Sequence, residues 1–227
     1  MKHVNFTTCN AAGLDLAINL VKSCKNAGLP ITFCALDQKS FVTMQKFCTC
    51  LNYYSAKYEN LKDFSKYGTK NFNKISYARY IIAQDLLKTN NSITYLDIDI
   101  VVCKNFESYI LQKLKLNPKQ LLIQSNHLNK PCTGFFSLTS NFNSNILNKL
   151  INPKNFNLND QEYLHKLMEE EKPTDIKLLD KNDFPNGAYY YRNHKEIGSS
   201  CKIIHFNCVV GDDKKIKKMR EYNHYYE

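Results

Sequence analysis

A chain of 227 residues with 43% hydrophobic and 12% aromatic residues, but only 7 Gly and 6 Pro, can bury a substantial core. That excludes disordered and collagen-like architectures and makes one compact domain the first expectation. The formal net charge of +10 comes from 31 basic against 21 acidic residues, and among the basic residues only Arg79, Arg192 and Arg220 are arginines; because base and phosphate readout leans on the guanidinium fork, this lysine-borne surplus argues against specific nucleic-acid recognition and leaves a positive field for smaller anions, nucleotides included.

Residues 4–8 alternate and are β-rich, and Leu14, Leu16, Ala17, Leu20 and Val21 then recur at helical spacing until Gly28-Leu29-Pro30 stops the run. Residues 31–36 form a short apolar run of the kind buried in parallel sheets, ended by Asp37. The three segments read as a βαβ unit whose ligand crevice lies at the strand carboxyl ends, where Thr7, Thr8 and Asp37 project. Residues 51–68 give no more than one short strand. A stripe of Ile75, Ala78, Ile82, Leu86 and Leu87 predicts a helix over 74–88, and the strand 93–96 runs straight into Asp97-Ile98-Asp99 and the aliphatic run 100–102. Further strands are expected at 120–124, 134–138 and 202–206, and helices at 143–150 and 161–171, the last with Asp160 placed as an N-cap. Lys214, Lys215, Lys217 and Lys218 around Ile216 and Met219 read as a solvated helix face. Strands alternating with helices make an α/β class.

No apolar run approaches the roughly 20 residues needed to cross a bilayer, and residues 1–10 lack a secretory h-region. The nine cysteines are odd in number and scattered, and Cys48-Thr49-Cys50 lacks the spacing of a zinc knuckle. Reduced thiols and a cytoplasmic location are expected.

The most informative segment is the aspartate pair. On a strand, residues i and i+2 face one way, so Asp97 and Asp99 would share one small volume with Leu96, Ile98 and Ile100 turned to the other side. Two carboxylates at the end of an apolar strand call for a compensating cation, and hard oxygen ligands suit Mg2+ or Mn2+. The spacing alone is weak, since such a pair arises by chance in chains of this size, and a strand-capping role competes with it. His205, between Ile204 and Phe206, reads by itself as a satisfied core histidine.

In context, residues 95–102 resemble the D-x-D region of nucleotide-sugar-dependent glycosyltransferases with the A-type fold, especially glycogenin-like and lipopolysaccharide-galactosyltransferase-like enzymes. Four other segments agree in order: Tyr77-Ala78-Arg79-Tyr80 resembles the family's Y-x-R-F/Y element, Cys132-Thr133-Gly134 its N-x-G strand with Cys in place of Asn, Asp160-Gln161 its D-Q pair, and His205 with Gly211 and Lys214 its late metal and diphosphate element. The resemblance implies a single-domain, Rossmann-like A-type fold over 1–227, with a central mixed, mostly parallel sheet flanked by helices. It implies a nucleotide-binding half at 1–102 and an acceptor-binding half at 103–227. It assigns Asp97, Asp99 and His205 to a Mn2+ or Mg2+ site. Thr7, Thr8, Asp37, Arg79, Asp97, Thr133, Gly134, Gly211 and Lys214 fall to donor binding, and Asp160 and Gln161 to catalysis. The implied activity is metal-dependent transfer of a hexosyl or pentosyl group from a nucleoside diphosphate, uridine diphosphate first, to a hydroxyl of a glycan or glycoprotein. Two alternatives stand beside it: a basic nucleic-acid-binding or Mg2+-dependent nucleotidyl-transferring protein, for which no convincing further carboxylate is found, and an inactive nucleotide-sugar-binding module.

Overall fold

The computed structural model describes residues 2–54, 65, 68–142, 145–153, 157–197 and 201–226. Its centre is a seven-stranded sheet in the order β3-β2-β1-β4-β7-β6-β8. The strands are β1 (His3–Cys9), β2 (Thr32–Ala35), β3 (Thr49–Asn52), β4 (Ser92–Leu96), β6 (Leu121–Ser125), β7 (Pro131–Thr139) and β8 (Ile176–Leu178). Neighbours pair in parallel except at β7, which runs antiparallel to both β4 and β6. The sheet is therefore mixed and mostly parallel, and it draws strands from both sides of residue 102. A second, two-stranded sheet joins β5 (Ile100–Val102) to β9 (Ile203–His205) in antiparallel register, with Ile100 opposite His205.

The helices are α1 (Leu14–Asn26), α2 (Gln38–Met44), α3 (Lys70–Leu86), α4 (Glu107–Leu116), α5 (Asn145–Ile151), α6 (Asp160–Glu171), α7 (Gly187–Ile197) and α8 (Asp212–Glu221). They cover both faces of the large sheet, which explains why its central strands read as continuous apolar runs rather than alternating ones. One core packs Phe6, Tyr95 and Phe136 with Tyr77, Tyr80 and Ile82 of α3. The other packs Phe33, Leu96 and Phe135 with Leu20 of α1 and Ile110 of α4. A smaller cluster joins Val101, Ile204 and Phe206 to Tyr190 and Met219, tying α7 and α8 to the small sheet. Among the described residues no helix is long and apolar enough to cross a membrane, and all nine cysteines are free thiols.

Several local expectations need correction. The aspartates do not lie on a strand: β4 ends at Leu96, and Asp97 to Asp99 turn between β4 and β5. They converge through that turn, whose Ile100 N donates back to Asp97 O at 3.1 Å. Helix α3 begins earlier than its apolar stripe, because Thr69 Oγ1 caps it by accepting from Phe72 N. Asn159, not Asp160, caps α6, and it does so through a capping box with Glu162. That shift frees Asp160 to point elsewhere. Most of the segment 51–68, and residues 143 and 144 of the predicted helix 143–150, lie outside the described residues.

Candidate active site

The centre is built from the β4–β5 turn, β9 and the start of α8. One ligand atom each from Asp97, Asp99 and His205 lies within 4.8 Å of the others. The strand partner β7 allows the approach. Gly134 O accepts from Asp97 N at 2.7 Å, and the absence of a side chain at Gly134 leaves the space that the His205 ring and the Asp97 carboxylate occupy.

His205 is buried and oriented from behind. Its Nδ1 lies 2.8 Å from Gln124 Oε1, while Gln124 Nε2 donates to the carbonyls of Phe184 and Pro185. With the amide fixed that way round, Nδ1 carries the proton and Nε2 is turned toward the carboxylates, 3.0 Å from Asp99 Oδ1 and 3.8 Å from Asp97 Oδ2. The core-histidine reading is half correct, since the ring is buried and satisfied, yet its outer nitrogen faces the site. Asp99 is buried too and accepts from Lys215 Nζ at 2.6 Å. Burial opposes the charge of all three groups, but their mutual attraction wins. Lys215 and His205 hold Asp99 far below the ordinary carboxylate range, and Asp99 raises both His205 and Lys215. In the metal-free protein, the cations of Lys215 and His205 thus balance this carboxylate.

A second knot lies alongside. Buried Arg79 on α3 donates Nε to Ser76 O and Nη1 to Thr133 O, and pairs with Asp97 Oδ1 at 3.1 Å and, less closely, with Asp160 Oδ2 at 3.7 Å. Its guanidinium covers the Tyr95 ring at 4.7 Å, and Tyr95 Oη donates to Asp97 Oδ1 while Tyr80 Oη donates to Asp160 Oδ2. Burial works against the charge of Arg79, but Asp160 and Asp97 outweigh it and raise its pKa. Asp85, on the same helix, pairs with Lys88 instead. Both carboxylates of this knot are oriented by the same planar fork, a task that an ammonium cannot share. Arg79→Lys is expected to cost about 1–3 kcal/mol in denaturant melts and to lower any turnover roughly tenfold or more. Unchanged melting and turnover would show that Asp97 and Asp160 are held by other groups.

The two knots open on one cleft of about 400 Å³, lined by Arg79, Asp97, Asp99, Thr133, Gly134, Asp160, Gln161, His205, Gly211 and Lys215 among others. The structure therefore brings together nine residues assigned to the site from sequence. It does not bring the rest. Lys214 is exposed, and Lys215 lines the cleft in its stead, because one residue along a helix turns the side chain by about 100°. Thr7, Thr8 and Asp37 do not line this cleft. Thr8 Oγ1 donates to Cys34 O, and Asp37 caps α2 through Ser40 N while accepting from Ala11 N. Gln161 Oε1 accepts from Thr133 N at 3.3 Å, and Gly211 takes φ 97° at the start of α8, a conformation that favours glycine. Gln124 escaped sequence reasoning, since a lone Gln on an apolar strand carries no pattern; its one signal is a polar residue where both faces of the sheet are buried.

Two hard oxygens and one borderline nitrogen, gathered without a thiolate, fit Mn2+ or Mg2+ better than a soft ion. The Asp97 oxygen that faces His205, Oδ2, is the one not engaged by Arg79 and Tyr95. The donor set is thus aimed at one shared point.

The sequence profile of the nucleotide-diphospho-sugar transferases matches residues 29–219. The chain belongs to this family. A UDP-galactose:fucoside alpha-3-galactosyltransferase of Dictyostelium discoideum is 25% identical over 189 residues, which are 70% of this chain and 29% of that protein. A UDP-D-xylose:L-fucose alpha-1,3-D-xylosyltransferase of Arabidopsis thaliana is 42% identical over 52 residues, 22% of this chain and 14% of that protein. The chain thus spans less than a third of either relative. Among solved structures, mouse xyloside xylosyltransferase 1 superposes with a TM-score of 0.63 at 16% identity, covering 92% of this chain and 98% of its own. The galactosyltransferase LgtC gives 0.60 at 10% identity, with 88% and 86% covered. At such identities the likeness establishes the fold, which is that of the A-type glycosyltransferases. Membership of the nucleotide-diphospho-sugar transferase family gives the D-x-D reading of Asp97 and Asp99 its structural context.

Proposed function

We propose that this nucleotide-diphospho-sugar transferase moves a hexosyl or pentosyl group from a uridine diphosphate sugar to a hydroxyl of a glycan or glycoprotein, with Mn2+ or Mg2+ held by Asp97, Asp99 and His205. The observation that carries the reading is the convergence of this O, O, N donor set with the Arg79–Asp160 pair and Gln161 in one cleft. Bound there, the divalent ion supplies charge neutralisation for the departing diphosphate. Lys215 places positive charge on the same wall, fixed before reaction and costing little reorganisation. Asp160 and Gln161 face the transferred sugar. Arg79 fixes the carboxylates on both sides of that sugar, and Thr133 and Gly134 form its floor. The nucleoside belongs to the first half of the chain, at the carboxyl ends of β1 and β2, and the acceptor to the half after residue 102. Free thiols suit a reducing, cytoplasmic compartment.

The test is turnover of UDP-galactose and UDP-xylose, the donors named in the relatives, with a fucoside acceptor. Release of UDP is expected with Mn2+ present, to vanish with EDTA, to return on adding Mn2+, and to withstand single-stranded DNA at physiological salt. Donor binding without release would identify an inactive binding module. EDTA-resistant binding, together with strong competition by nucleic acid, would promote the nucleotidyl-transfer alternative.

A further inference from the structure

The small sheet that carries Asp99 and His205 also carries two thiols at its far end. Cys103 follows β5 directly, and Cys201 lies two residues before β9. Their backbones are held in register, since Val102 pairs with Ile203 and the amides of Cys103 and Lys104 both donate to Lys202 O, at 2.9 and 3.2 Å. Both sulfurs pack in the same cluster as Val101, Ile204 and Phe206, with Cys201 buried and Cys103 half-buried. Cys201 Sγ donates to Ile203 O at 3.0 Å, and the interaction between the two thiols lowers the pKa of Cys103 and raises that of Cys201.

We propose that Cys103 and Cys201 are a redox pair, which glutathione disulfide converts to an intramolecular disulfide that fastens β5 to β9. Lys202 turns to the opposite side, over the Tyr109 and Phe184 rings, so Cys201 shares with Cys103 the face of the small sheet that packs on Val101 and Ile204, and a disulfide there asks for Cα atoms roughly 4.4–6.8 Å apart. The Cys103 thiolate attacks one sulfur of glutathione disulfide and expels a glutathione thiolate. Cys201 then attacks the Cys103 sulfur of the mixed disulfide and expels the second, its proton passing to glutathione. Two thiols are oxidised and one glutathione disulfide is reduced to two glutathiones. The reactivity is asymmetric in the needed sense. The hydrogen bond from Cys201 and the charge of Lys104 lower the pKa of Cys103, although burial opposes them. Among the other thiols, burial pushes Cys48 and Cys50 each up to about 11 and holds Cys9, Cys24 and Cys34 higher still. Cys208 is exposed and donates to Asn207 Oδ1.

The inference stands apart from the transferase reading, and so does its test. The native chain is incubated with glutathione disulfide, quenched with acid and mapped by mass spectrometry. The expected product has lost the mass of two hydrogens, contains a peptide pair joined through Cys103 and Cys201, and reverts with dithiothreitol. Because the bridge closes a loop of almost half the chain, the oxidised protein should melt about 5–10 °C higher. Cys201→Ser should stop at a stable glutathione adduct on Cys103. The mapping uses the unsubstituted chain, so it decides even if that variant fails to fold. A chain that keeps both thiols reduced, a linkage that forms first between other cysteines, or a bridge that lowers the melting temperature would overturn the proposal.

Discussion

Asp99→Asn should weaken binding of Mn2+ by about a hundredfold or more and at the same time destabilise the metal-free protein by about 2–3 kcal/mol at neutral pH. The first effect follows from removing one of three gathered ligands. The second follows from burial, since the carboxylate balances Lys215 at 2.6 Å and His205 at 3.0 Å inside the protein. A crevice residue on a solvated surface would show only the first. The pH dependence separates these terms. Burial alone would raise Asp99, but Lys215 and His205 depress its folded pKa. Its contribution is therefore complete above the ordinary carboxylate range near pH 4 and is lost as pH falls through the depressed folded value. His205 works in the opposite sense. Burial lowers it and Asp99 raises it further, so its share is complete below about pH 6.5 and fades as pH rises through the elevated folded value. Urea melts in EDTA should show the largest gap between parent and variant from about pH 5 to neutrality. A gap that does not change with pH, or full Mn2+ affinity in the variant, would refute the placement of Asp99 as both counter-charge and ligand.

How far the sequence could be read depended on the kind of force that fixed each part. The central strands were legible because burial on both faces writes itself as aliphatic runs, as at 31–36 and 93–96. Helices that pack a wide stripe, such as α1 and α3, were legible for the same reason. Helices α2, α4 and α7 and strand β8 were not predicted. They are short or rich in polar residues, and tertiary contacts rather than a local pattern hold them. In the site, the motif residues Asp97, Asp99, Arg79 and His205 were found, but their mutual order was not. Nothing in a linear pattern says that Arg79 would hold two carboxylates that lie 18 and 81 positions further along the chain; only the β4–β7 pairing and the α3–α6 contact do. That Lys215 and not Lys214 lines the cleft has an equally plain cause. A four-lysine run offers every helical azimuth, and the buried Asp99 selects the one that reaches it.

That selection also shows how the site remains folded without a metal. Three ligand groups of like purpose cannot be gathered in a dry place unless their charges are met. Here Lys215 and the protonated His205 meet that of Asp99, while Arg79 and Tyr95 engage one oxygen of Asp97 and leave the other facing His205. A divalent ion held there would compete with cations that the chain itself supplies, and its affinity should rise with pH as His205 yields its proton.

Gly134→Ala should be the most disruptive single-methyl change near the site. The added Cβ would lie 2.1 Å from His205 Cε1 and 2.8 Å from both His205 Nε2 and Asp97 Oδ2, far inside contact distance. The imidazole cannot step aside cheaply, because Gln124 holds its Nδ1 and Gln124 is itself tied to two carbonyls. Nor can β7 retreat alone, since Gly134 O anchors Asp97 N at 2.7 Å and any shift drags the carboxylate with it. Overpacking of this kind costs about 1–3 kcal/mol, and displacement of a ligand and its support should weaken Mn2+ roughly a hundredfold. The nearest clash is with the imidazole, which makes it testable by a cycle. If the methyl acts against the imidazole, Gly134→Ala should destabilise the His205→Ala background much less than the parent, leaving a coupling of about 1 kcal/mol or more in urea melts. Additive losses would mean that the glycine serves the backbone of β7 and not the space in front of His205.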